Sequence, residues 1–132
     1  MDILNKFGAD PALVEFGVWF HVDKTDPTSA RFLIARHNNH PFRLYLQGQL
    51  TNRVDKPSDE EIDKIFITAL SKHVLLGWEN VTEDGVEVEF SEERAFDLLS
   101  RPELRDFREW VAERSQDMNA YRLQKEEEDL GN

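Results

Sequence analysis

Ser58-Asp59-Glu60-Glu61-Ile62-Asp63-Lys64-Ile65-Phe66-Ile67-Thr68-Ala69-Leu70-Ser71-Lys72-His73-Val74-Leu75 is the stretch on which the fold turns. Ser58 and Glu61 stand in the capping-box relation, in which each side chain takes up a backbone N–H that the first helical turn leaves unpaired. Behind this start, Ile62, Ile65, Phe66, Ala69, Leu70 and Val74 recur at helical spacing. The stripe is broader than a solvent-facing helix needs, so Asp59–Leu75 is predicted to be a central helix, with Gly77 able to end it.

Upstream, Val18, Phe20 and Val22 alternate with Trp19, His21 and Asp23, and Ala30, Phe32 and Ile34 alternate with Arg31, Leu33 and Ala35. Period-2 alternation on both sides of the turn formers from Lys24 to Ser29 predicts a β-hairpin whose first strand is Val18–Asp23. Asn38 or Asn39 can cap a short helix carrying Pro41, Phe42, Tyr45, Leu46 and Leu50, about three turns long.

Downstream, the Asp84-Gly85 turn leads into Val86, Val88 and Phe90, separated by Glu87 and Glu89, which predicts a short strand with one acidic face. Ser91 caps the next helix, whose Ala95, Phe96, Leu98 and Leu99 face inward, and Pro102 stops it. A last helix from Pro102 places Leu104, Phe107, Val111, Met118 and Tyr121 on a narrow stripe interrupted by Arg114 and Lys125. The expected architecture is α+β and mainly α: an N-terminal β-hairpin, then about four helices, with a short strand between the second and third. Residues 1–125 form one domain in this reading and 126–132 an acidic flexible tail, since Glu126-Glu127-Glu128-Asp129 has no anchoring apolar cluster.

Charge separates the halves. The chain has 132 residues and a net charge of −11. Residues 1–78 hold 10 acids and 9 bases, whereas residues 79–132 hold 17 acids and 7 bases. Such a field repels nucleic-acid phosphate and attracts basic surfaces, so no nucleic-acid partner is expected. A DNA mimic would need a regular acidic face, and the seven interleaved bases break one up. No apolar run has the length of a membrane span and the N-terminus lacks a basic-then-apolar leader, so no membrane association is expected. Cysteine is absent, which removes disulfides and thiolate chemistry.

Candidate chemistry is sparse. His37 and His40 are three apart but lack a third ligand, His73 reads as a packed or boundary histidine, and the calcium-loop pattern from Asn80 ends in Ser91 where Glu is required. No nucleophile, metal set or phosphate cradle emerges, so neither enzyme activity nor a cofactor is expected. Trp110 flanks the last helical stripe, and Met118 and Tyr121 are expected to run beyond the compact core. Leu104, Phe107, Trp110, Val111, Met118 and Tyr121 are therefore the candidate protein-binding residues; the alternative, a helix packed along its whole length, stays open.

The stretch Leu75-Leu76-Gly77-Trp78-Glu79-Asn80-Val81, then Asp84-Gly85, Val88-Glu89-Phe90-Ser91 and a helix containing Leu98-Leu99, resembles the tail assembly chaperones of tailed bacteriophages. The likeness runs from about Leu75 to Tyr121, with Gly17-Val18-Trp19 and Ala30-Arg31-Phe32-Leu33 adding a less specific part; Tyr121-Arg122 stands where relatives often carry phenylalanine beside a basic residue. The resemblance implies a non-catalytic factor of the host cytoplasm. It would bind and solubilise the tape measure protein, help recruit tail tube subunits, and be absent from the finished virion. It leaves the oligomeric state open, a homo-oligomer included, and the competing reading is a virion component such as a head-tail or tail adaptor.

Overall fold

The computed structural model describes residues 1–123; the expected acidic tail, 126–132, lies outside them, as does Lys125. The Ser58 box forms as expected: the Glu61 N–H donates to Ser58 Oγ at 3.1 Å and the Ser58 N–H to Glu61 Oε1 at 3.3 Å. The helix it opens runs Asp59–His73, with Asp59, Glu60 and Glu61 in its first turn and Lys72 in its last, each sign matched to the helix dipole. Its core face is turned relative to the predicted stripe. Ile67 is buried while Ile62 is 45% exposed, because the buried row is Ile67, Leu70 and Val74 and the first turn projects past the core.

Leu75 corrects the sequence reading. The helix stops at His73, and Leu75–Glu79 is a β-strand. The cause is tertiary: Asn39 Nδ2 donates to the His73 carbonyl at 2.8 Å, and the Ala35 N–H donates to the Val74 carbonyl at 2.8 Å. With these carbonyls taken, Gly77, a poor helix former, continues as strand.

In chain order the elements are α1 (Ile3–Phe7), α2 (Pro11–Phe16), β1 (Val18–His21), β2 (Arg31–Ile34), α3 (His40–Leu50), α4 (Asp59–His73), β3 (Leu75–Glu79), β4 (Thr82–Glu83), β5 (Val86–Glu87), α5 (Glu92–Ser100) and α6 (Arg105–Ser115), with 3₁₀ turns at Pro102–Leu104 and Met118–Tyr121. The α+β, mainly α class is as expected. The first two helices were not; Asp2 and Asp10 cap them, and Pro11 opens the second.

The predicted hairpin is present and gains a third strand. Antiparallel β1, β2 and β3 lie in that order, with Phe20 opposite Phe32 and Phe32 opposite Trp78 in one cross-strand row. This row faces the core, where the Phe32 and Trp78 rings meet edge to face at 6.1 Å. The alternate row is Trp19, Leu33 and Gly77. A Cβ built on Gly77 would sit 3.7 Å from the Trp19 ring, so the indole reaches across the middle strand. Arg31 stacks on that indole at 4.1 Å and bonds Glu79 at 2.7 Å.

Two further expectations change. The acidic strand shrinks to Val86–Glu87, paired with Thr82–Glu83 across Asp84-Gly85, whose φ of 51° and 80° suit a two-residue hairpin turn. Val88 still donates its N–H to the Val81 carbonyl in register, but its own carbonyl accepts from Trp78 Nε1 at 2.8 Å, and the ladder stops there. The last helix, expected to run unbroken through Tyr121 to about Lys125, ends at Ser115. The Ser115 carbonyl is taken by the His37 N–H, and the Asp117 side chain accepts from the Asn119 N–H, folding the chain into a turn. Tyr121 thereby swings back into the core instead of extending past it.

Candidate protein-binding site

The six candidate residues do not share one surface. Val111 and Tyr121 are wholly buried. Tyr121 donates its hydroxyl to the Ile34 carbonyl, and burial raises its phenol above the ordinary range. Trp110 is half-buried, its ring 5.5 Å from Phe32 and covered by the Arg114 guanidinium at 4.9 Å. Met118 is exposed to 40% and stands apart. Leu104 and Phe107 come together in an open hollow.

That hollow is an apolar cleft of about 350 Å³ between the β4–β5 hairpin and the junction of α5 with α6. Phe32 forms its floor; Val81 and Val88 line the hairpin side; Leu98, Leu104 and Phe107 line the helical side. The residues are placed by local rules. Ser91 caps α5 by accepting from the Arg94 N–H at 3.0 Å, which directs Leu98 inward, and the Pro102 turn redirects the chain so that Leu104 and Phe107 face the hairpin. The Phe107 ring packs 5.1 Å from Phe32.

Arg101 sits at the mouth. Its guanidinium bonds Glu83 at 2.6 and 3.2 Å and Asp97 at 2.6 Å, tying the hairpin to the end of α5. These bonds hold the Glu83 carboxyl below its ordinary value and raise the Arg101 guanidinium. Sequence spacing flagged Leu104 and Phe107. It missed Val81, Val88 and Leu98, whose apolar alternation and inward helix face were visible but whose meeting depends on the hairpin folding over α5.

Other candidates settle into packing. The His37 ring lies tilted 5.2 Å from that of Phe42, and burial, with help from Arg36, lowers its pKa. His73 lies 5.9 Å from Tyr45, a boundary position as expected, and its pKa too is lowered, first by burial. Among the described residues no three metal-ligating side chains gather, and no helix is long and apolar enough to cross a membrane. In the acidic half, Arg101, Arg105, Arg108 and Arg114 reach Glu83 and Asp97, Glu109, Asp63 and Glu113 respectively, so cations interrupt the carboxylates on α5 and α6.

No curated protein and no solved structure matches the chain. A family model described as YdaY prophage protein matches residues 31–132, from the first residue of β2 onward and well over half of the sequence. The phage connection expected from the resemblance is thereby shown, in the coarser form of a prophage protein. The match includes every residue of the cleft and leaves α1, α2 and β1 outside. The chain belongs to the YdaY prophage protein family.

Proposed function

We propose that this prophage protein is a non-catalytic tail assembly chaperone of the host cytoplasm. It holds apolar helical stretches of the tape measure protein, helps tail tube subunits reach them, and leaves before the virion is complete. The observation that carries the reading is the cleft walled by Leu98, Leu104 and Phe107, an apolar hollow left open on a chain of net charge −11. Such a hollow suits a side chain from a partner helix, and the surrounding charge keeps a complex dispersed.

The test is co-expression with the tape measure protein encoded by the same prophage. The soluble fraction of that protein should rise and the two should co-elute on size exclusion. Equal solubility without this chain, and no complex, overturns the proposal. Mass spectrometry of purified particles should not find the chain; finding it at stoichiometric level would make it a virion component instead.

A further inference from the structure

The β4–β5 hairpin lies between two hollows, one mainly apolar and one richer in carboxylates. On one side is the apolar cleft. On the other is an open groove of about 750 Å³ whose walls carry Glu83, Asp84, Glu87 and Glu89 beside Val86, Val88 and Phe90, with Arg94 the cation among its lining residues. Glu83 is held by Arg101, while Asp84, Glu87, Glu89 and the cleft residue Glu103 have no ion-pair partner among the described residues. Val86, between Asp84 and Glu87 along the chain, is 69% exposed. A partner crossing this arm meets an apolar hollow, an exposed valine and a row of unneutralised carboxylates in succession.

We propose that this face docks a basic amphipathic helix: an apolar anchor enters the cleft against Leu104 and Phe107, and lysines or arginines a turn away lie along Glu87 and Glu89. The inference rests on the chaperone reading and specifies the partner chemistry of the same site. Charge decides the occupant, since an acidic or phosphate-bearing segment is repelled by this row while a basic one is attracted. Size decides how it sits. A helix is about 10–12 Å across with its side chains, too wide for the cleft, so it lies over the hairpin and sends in side chains spaced three and four apart.

The experiment measures binding of the full chain to designed peptides by fluorescence anisotropy. One probe is an amphipathic helix with a leucine row flanked by lysines; a second carries glutamates in place of the lysines; a third keeps the lysines and replaces the leucines with alanine. The first should bind and the other two should not. Glu87→Lys/Glu89→Lys should weaken binding by about tenfold or more. Glu15→Lys/Glu60→Lys makes the same change of net charge at exposed sites on α2 and α4, and should shift binding by no more than about twofold.

Equal weakening by the two double variants, or binding that survives loss of the leucines, overturns the docking face. The two proposals separate in co-expression. If Glu87→Lys/Glu89→Lys still solubilises the tape measure protein, the chaperone reading stands and this face falls. If the unmodified chain fails to solubilise it while the peptide results hold, the face stands and the chaperone reading falls.

Discussion

The hydroxyl of Tyr121 donates to the backbone carbonyl of Ile34 across 2.8 Å, between two residues with no exposure to solvent. The ring also lies 6.3 Å from Phe20 and 5.8 Å from the Arg36 guanidinium, and the Tyr121 carbonyl accepts from the Asp10 N–H. One residue near the end of the described chain thus ties the sheet through its side chain and the N-terminal segment through its backbone.

Tyr121→Phe keeps the ring and removes the donor to a buried carbonyl. It should cost about 1–2 kcal/mol, read as a lower urea midpoint at unchanged slope. Because burial raises the Tyr121 pKa, the folded state favours the neutral phenol. That contribution is complete below the ordinary tyrosine value of about 10 and declines as pH rises through it. The variant should therefore lose less stability than the unmodified chain on alkaline titration.

Asn39 joins α3, the end of α4 and the loop after β2. Its Oδ1 caps α3 by accepting from the Phe42 N–H, and its Nδ2 donates to the Arg36 and His73 carbonyls at 2.9 and 2.8 Å. Asn39→Ala should cost about 2–4 kcal/mol, a lost cap together with buried carbonyls deprived of a donor. Asn39→Asp keeps the cap and places a charge beside those carbonyls, so thermal melts should find it nearly as damaging. An Asp variant as stable as the unmodified chain would mean that the cap alone matters.

Gly17 and Gly77 should respond in opposite ways. Gly17 has φ 96° and ψ 166°, and a Cβ there would lie 3.0 Å from Leu33. Gly17→Ala should destabilise by about 1–3 kcal/mol. At Gly77 an added Cβ meets only ordinary contacts, 3.6 Å from Leu33 and 3.7 Å from Trp19, so Gly77→Ala should be neutral or stabilising by up to about 1 kcal/mol. A glycine closing a helix in the left-handed conformation would show the reverse, and calorimetry of the single variant distinguishes a strand from the helix end read in the sequence.

His37 should give the fold an acid sensitivity. Burial, and secondarily Arg36, lower its pKa below the ordinary value, so the folded state prefers the neutral ring. That stability is present above about pH 6.5 and is lost as pH falls through the lowered value. Thermal melts from about pH 7 to 5 should fall more for the unmodified chain than for His37→Gln, with the remaining decline shared by His73, whose pKa is lowered as well.

What could be read from the sequence was what neighbours in the chain decide. The Ser58 box, the Ser91 and Asn39 caps, the Asp84-Gly85 turn and the β1–β2 alternation are each settled within a few positions. The third strand was hidden because Val74 and Leu75 continue an apolar helical row, and the group that ends the helix comes from Asn39, 34 positions away. Tyr121 was misplaced for a related reason. Its spacing extends the Leu104 stripe, and only the Asp117 turn, a weak local signal, interrupts it. Of the candidate site, the helical wall was legible in Leu104 and Phe107, whereas the opposing wall exists only once Trp78 has captured the Val88 carbonyl. For α1 and α2 the signals were present, as Asp2 and the Asp10-Pro11 pair, but each announces barely more than a turn of helix.

The pairing of the Gly8–Asp10 stretch with Tyr121–Leu123 also orders events in time. The Leu123 N–H reaches the Gly8 carbonyl, and Tyr121 seals a sheet whose first strand begins at Val18. A chain growing from the ribosome completes its sheet long before the residue that closes it has been made. Until then the ring-lined interior around Phe20 and Phe32 lacks the side chain that covers it, so a nascent chain that has already made the central helix still exposes apolar surface of the kind that drives aggregation.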